Sequence, residues 1–220
     1  MVPVTGPSRR RSPKPRPRVR LDNDQRRAQL LTLGMDAFAE RTYDEVSIDD
    51  LARAAGVSKG LLYHYFPTKR DLYLAALREI ARDLLDKTLR QPAELPPLDR
   101  VRVGIDAFFD HVGVHARAFL ALMRGGIGSD PEVAAVIEET RLAYLDRMLF
   151  ELSGTPFAAV VGGNPLWRSA LRGWIGFVES ATIDWLSHGA DVDRRQLRDL
   201  LVDNLIATLR MVGSPLTHGW

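Results

Sequence analysis

The chain has 220 residues, no cysteine, 45% hydrophobic residues and a formal net charge of +2. These totals suit one large globular domain or two small ones, and they exclude a disulfide framework, a cysteine-based zinc site and a thiol nucleophile. No apolar run approaches the roughly 18–20 residues of a membrane span, and the N-terminus lacks the apolar stretch of a secretory signal, so a cytoplasmic protein is expected. Charge is unevenly placed: seven of the 30 basic residues and none of the 28 acidic ones fall within residues 1–20, among five prolines. Such a segment cannot bury a core, which predicts a disordered basic arm over 1–21 on an acidic body. A polyanion such as DNA is the natural partner of that arrangement, with a solvated leader that touches nothing as the competing reading.

From Asp22 onward the hydrophobic period is helical, and nine helices with no strand are predicted. The first spans 24–41 with Leu31, Gly34, Met35 and Phe38 on one face. Ser47 is placed to cap a short second helix at 48–55, with Asp50 three residues on to complete a capping box. Gly56 ends it, and a third helix covers 58–65. Pro67 stops that one, and Thr68 with Asp71 starts a long fourth helix at 69–90, with Leu72, Ala76, Ile80 and Leu84 on a face. Helices follow at 99–115, 116–124, 131–152, 165–188 and 194–212. Asp130-Pro131 and Asn164-Pro165 each place a cap before a proline at the first helical position, and Asp193 to Gln196 reads as a capping box. "GGIGSD" follows a helix rather than a strand and is read as a hinge or loop.

The second and third helices carry the chemistry. Ala52 is small where two helices cross, Gly56 suits a left-handed turn, and Leu51, Ala55, Val57 and Leu62 close a small core. This is helix-turn-helix spacing, with the helix after the turn free to enter a major groove. Around it, "RRAQLLTLGMDAFAERTYDEVSIDDLARAAGVSKGLLYHYFPTKRDLYLAAL" resembles the DNA-binding domain of TetR-family transcriptional regulators, most specifically over "GVSKGLLYHYFPTKRDL". The resemblance implies an all-α chain: a helix-turn-helix domain at 22–68, a helical effector-binding and dimerisation domain at 69–213, and a tail at 214–220. It also implies that Ser58, Lys59, Gly60 and Leu61 lead the recognition helix toward bases and phosphates. Tyr63, His64 and Lys69 would then meet the phosphate backbone, with Ser47 acting as both cap and phosphate donor. Leu62 and Phe66 face inward, and Tyr65 is placed partly in the core. Two positions depart from the family pattern. Thr42 stands where glycine is usual, so the first helix ends differently, and Gly34 stands where alanine is commoner, which permits a close helix crossing.

No GxSxG, P-loop, HExxH or dinucleotide glycine signature occurs, so neither an enzyme nor a cofactor is expected. An enzyme acting on a bound small molecule stays as the alternative from another class. A metal-responsive regulator is the second alternative, because His111 and His115 are four apart on one helix with Asp106 and Asp110 near. The expected input is an apolar small molecule held among Phe108, Phe109, His111, Tyr144 and Trp174. A homodimer is expected through helices 165–188 and 194–212. There Gly173, Gly176 and Ser180 form a small-residue strip, and Trp174, Phe177, Trp185, Leu197, Leu201, Leu205 and Leu209 add apolar bulk. The competing reading gives those apolar residues to the core of a single chain.

Overall fold

The computed structural model describes residues 22–92, 94–153, 164–188 and 192–213. The expected basic arm at 1–21, the tail at 214–220 and most of the loop after Ser153 lie outside the described residues. In chain order the helices are α1 (Asn23–Glu40), α2 (Ile48–Ala55), α3 (Lys59–Tyr65), α4 (Lys69–Leu89), α5 (Pro97–Val114), α6 (Ala116–Met123), α7 (Pro131–Ser153), α8 (Leu166–His188) and α9 (Arg194–Gly213). "GGIGSD", expected as a hinge or loop, winds into one 3-10 turn at Gly126–Ser129. Among the described residues there is no strand, and no helix is long and apolar enough to cross a membrane.

The helix starts follow the caps. Thr68 and Asp71 form a reciprocal capping box on α4, and Asp22 with Gln25 forms another on α1 that the sequence had not suggested. Ser47 does cap α2, its hydroxyl accepting from the Asp50 N–H at 3.4 Å. The expected return half of that box is absent, because the Asp50 carboxylate pairs with Arg53 at 2.7 Å instead. The Asp130 carboxylate accepts from the N–H groups of Glu132 and Val133, and that of Asp193 from those of Arg195 and Gln196. The Asn164 side chain likewise accepts from Leu166 N–H at 3.0 Å. Helix α5 begins two residues before its expected start, because Pro97 can occupy a first helical turn that needs no N–H donor.

Packing forms two cores. The first gathers Leu30, Phe38, Leu51, Leu62, Phe66, Leu72 and Leu77 from α1–α4 with Val133 and Val136 from α7. The second gathers Ile105, Phe109, Leu145, Leu171, Trp174, Leu201 and Leu205 from α5, α7, α8 and α9. Helix α4 belongs to both ends of the molecule. Its first turns are buried in the first core, and its last turn meets α5 so closely that a Cβ on Gly104 would lie 2.9 Å from the Thr88 carbonyl oxygen. Gly34 makes the expected close crossing of α1 and α4, since a Cβ there would lie 2.9 Å from Leu72 Cδ1. The α1 terminus also departs from a glycine ending: Arg41 is extended (φ −128°), and Thr42 N–H is held by the Glu45 carboxylate at 3.0 Å.

Trp174, Leu197, Leu201 and Leu205 do not form a face for a second copy. They are at most 8% exposed inside the single chain, and the Trp174 indole N–H donates to the Leu201 carbonyl at 2.9 Å. Packing α8 on α9, α8 on α7 and α9 on α5 consumes that stripe. Gly173, Phe177 and Ser180 on α8 and Leu200 and Met211 on α9 are among the residues left on the outside of these two helices.

Candidate functional site

Among the described residues, two places stand out by their geometry, a surface helix and a cavity, and the first is α3. Gly56 takes a left-handed conformation (φ 66°, ψ 33°). Val57 N–H bonds back to Ala52 O and Gly56 N–H to Arg53 O, a Schellman ending that turns the chain sharply into α3. Ser58 caps α3 by accepting from Leu61 N–H at 3.1 Å. Leu62 (1% exposed) and Phe66 (2%) anchor the helix from beneath. Ser58, Lys59, Gly60, Leu61, Tyr63 and His64 are all exposed on its outer side. Tyr65 is half-buried against the core, and its hydroxyl donates to Asn23 Oδ1 at 2.9 Å, tying α3 to the start of α1. A Cβ on Gly60 would meet only the Ser58 hydroxyl, at 4.0 Å, so this stretch of backbone is open to close approach.

Lys59 is not free. Its ammonium lies 3.0 Å from the Asp49 carboxylate, whose hydrogen bond raises the lysine pKa. Lys69 sits 4.4 Å from the centre of the Tyr43 ring and donates to the Asp44 carbonyl at 3.4 Å. Ser47 is half-buried, at the same end of α2 as Asp49. Seven of the eight expected contact residues thus lie on or just before α3 or at the start of α4, while Ser47 lies at the start of α2.

The second place is a cavity of about 250 Å³ in the second core, lined from α4, α5, α7, α8 and α9. Phe108, Tyr144 and Trp174 line it, beside Val101, Ile105, Met148, Leu171 and Leu205. Phe109 does not. It turns into the packed interior, 5.1 Å from the Trp185 ring with the Arg194 guanidinium 5.8 Å away. His111 is also absent from the lining. It stands on another side of α5, its Nδ1 4.0 Å from Asp83 and its ring 5.4 Å from that of His115. Burial, with like charge from His115 and Lys87, lowers the His111 pKa and favours the neutral ring. Among the described residues, no group of three or more histidine or acidic side chains could hold a metal ion.

Thr88, Gln91 and Glu179 also line the cavity and were missed from sequence. Thr88 had a signal: it continues the Leu72, Ala76, Ile80, Leu84 spacing by one more turn. Its hydroxyl lies 2.6 Å from Tyr144 Oη, the polar link between α4 and α7 inside the cavity. Burial pushes the Tyr144 phenol up to about 12. The Glu179 carboxylate is held by Arg141 through Nε at 2.9 Å and Nη2 at 2.7 Å. At the rim, Glu151 pairs with Arg100 at 2.8 Å and with Arg147 at 2.5 Å.

Ion pairs brace the helices around the first core. The Arg70 guanidinium at the start of α4 forks onto the Asp130 carboxylate at 2.6 and 2.7 Å and reaches Glu132 at 3.2 Å. Chiefly through that hydrogen bond, the Asp130 pKa falls to about 2. Arg117 of α6 pairs with Glu45 in the turn before α2.

Residues 30–76 match the model of bacterial regulatory proteins of the tetR family, and residues 97–208 match that of the tetracyclin repressor-like C-terminal domain. The chain is 32% identical over 130 residues to the HTH-type transcriptional activator FasR of Mycolicibacterium smegmatis, covering 58% of each chain. It is 31% identical over 115 residues to the HTH-type transcriptional regulator EthR of the same organism, covering 51% of this chain and 52% of that one. These alignments therefore span less than two thirds of either curated relative. A crystal structure of a tetR-family transcriptional regulator from Streptomyces coelicolor superposes with a TM-score of 0.75 at 35% identity, over 87% of this chain and 83% of that one.

Proposed function

The chain belongs to the TetR family of bacterial regulatory proteins, and from that premise we propose that it is a homodimeric repressor released from a palindromic operator by an apolar small molecule. Helix α3 enters the major groove. Lys59 and Leu61 read bases, and Tyr63, His64, Lys69 and Ser47 hold phosphates. Lys59 exchanges Asp49 for DNA as it docks, an exchange between two anionic partners. The second copy packs on the outer face of α8 and α9, where Cβ atoms on Gly173 and Gly176 would meet nothing within 4 Å.

One observation carries the effector reading: α4 is an unbroken helix of 21 residues, about 32 Å long. Leu72, Tyr73 and Leu74 at one end are seated in the core beneath α3, and Thr88 and Leu89 at the other end line the cavity. A ligand that displaces the far end moves the near end, and with it the spacing of the two recognition helices. The shift can be no larger than the ligand's difference in affinity for the two arrangements. A coupling of roughly 1–3 kcal/mol would lower operator affinity about 5- to 150-fold.

Filling the cavity tests this. Met148 lines it, so Met148→Trp is the appropriate variant. Operator binding is measured by fluorescence anisotropy with and without small apolar compounds. Unchanged operator affinity with the response abolished supports the reading; a normal response in the filled variant places the effector elsewhere.

A further inference from the structure

The hydrogen-bond directions inside the cavity define the polar group its ligand carries. Thr88 Oγ1 lies 2.7 Å from the Leu84 carbonyl oxygen and 2.6 Å from Tyr144 Oη. A carbonyl oxygen can only accept, so the single Thr88 hydroxyl proton goes to Leu84. The short contact with Tyr144 then requires the other direction, with the phenol donating its proton to Thr88 Oγ1. Tyr144 Oη is left with lone pairs and no proton to offer. Among the described residues, none donates to it.

The other donors of the inner wall are spent in the same way. The Trp174 indole N–H goes to the Leu201 carbonyl, and the Gln91 amide N–H groups go to the Lys87 and Thr88 carbonyls at 3.0 and 3.5 Å. The Arg141 guanidinium is turned onto Glu179, whose negative charge faces the same space and helps hold the Tyr144 phenol protonated. The guanidinium groups of Arg100 and Arg147 are turned onto Glu151, which lies two turns of α7, about 10 Å along its axis, from Tyr144; Arg147 itself is one turn from Tyr144. The cavity therefore has an apolar wall, a mixed-charge rim and an inner polar spot that accepts hydrogen bonds. A ligand whose inner end carries only a carbonyl, an ester or an ether would set its lone pairs against those of Tyr144 and leave both unpaired, which is costly in a buried site.

We propose that the effector of this cavity is a small apolar molecule bearing a hydrogen-bond donor, such as a hydroxyl or amide N–H, which it gives to Tyr144 Oη. The volume of about 250 Å³ lies at or below the lower end of ordinary ligand pockets, roughly 300–1,000 Å³, which keeps the ligand small. This proposal rests on the reading of the cavity as the effector site.

The test uses two probes of equal heavy-atom count, 1-octanol and heptyl methyl ether, titrated calorimetrically into the full chain. The native protein should bind the alcohol about fivefold more tightly, the worth of one neutral hydrogen bond. In Tyr144→Phe that preference should vanish, because the alcohol loses its acceptor and the ether no longer faces the Tyr144 lone pairs. In Thr88→Val the phenol loses its acceptor and becomes a free donor, so ether binding should strengthen and the gap should close. Should Tyr144→Phe fail to fold, Thr88→Val carries the test. Equal binding of both probes to the native chain, or a preference that survives in Tyr144→Phe, overturns the donor requirement and leaves the cavity reading standing. Failure of both probes to bind at all removes the cavity reading and the donor requirement with it.

Discussion

The two cores of this molecule treat space in opposite ways. Around α1–α4, Leu30, Phe38, Leu51, Leu62 and Leu72 are each at most 5% exposed, and Gly34 leaves no room for a methyl group against Leu72. Around α5, α7, α8 and α9 the side chains are as apolar, yet about 250 Å³ stays open among them. A surface that reads DNA by the placement of a two-turn helix needs a rigid seat. A receptor needs the opposite, a place where packing is incomplete until a ligand completes it. On the proposed function, the difference between the cores is the difference between reading and sensing.

Removing volume from the tight core should produce the largest effect. Leu62→Ala, at 1% exposure, is expected to cost about 2–5 kcal/mol in urea unfolding and to abolish operator binding. A loss below about 1 kcal/mol would mean the seat beneath α3 is no tighter than the cavity wall. Adding one carbon sharpens the contrast further. Gly34→Ala should overpack Leu72 by roughly 1–3 kcal/mol, set against up to about 1 kcal/mol of regained helix propensity. Val178→Leu adds one carbon to a side chain of the cavity wall and should change stability by less than about 1 kcal/mol. Equal costs for the two variants would erase the distinction drawn between the cores.

The ion pairs around the first core act on a smaller scale. Asp130 titrates near pH 2 in the folded protein because Arg70 holds it ionised; an unfolded aspartate titrates near 3.9. Its contribution is thus fully present above about pH 4 and is lost as the pH falls to about 2. In Arg70→Met the carboxyl should titrate closer to its ordinary value by NMR, and acid unfolding should begin at a higher pH. An unmoved titration would show that the N–H groups of Glu132 and Val133 suffice to hold Asp130 ionised. The smallest effect expected is on the DNA side. Asp49→Asn releases Lys59 and removes a negative charge near α3, so operator affinity should rise about two- to fivefold, the range of exposed ion pairs. A fall in affinity would mean that Asp49 positions Lys59 for DNA and does not restrain it.

The amino-acid sequence by itself determined the local structure. Helix limits followed from Thr68 with Asp71, from Asp130-Pro131 and from Gly56, because caps and left-handed turns depend on residues only a few positions apart. It also marked the helix-turn-helix, a short contiguous run whose spacing is its signature, as the part proposed to read DNA. Tertiary structure decided everything that depends on which face of a helix meets which neighbour. Phe108 and Phe109 are adjacent, and only the packing of α5 against α7, α8 and α9 sends the first to the cavity and the second into the wall beside Trp185. The same packing took Trp174, Leu197, Leu201 and Leu205 away from the expected dimer face and buried them within one chain. It also brought Thr88 to Tyr144, 56 residues apart. Helical periodicity marks an apolar face but is silent about its partner, because every apolar stripe of similar width gains about the same free energy per unit area wherever it is buried.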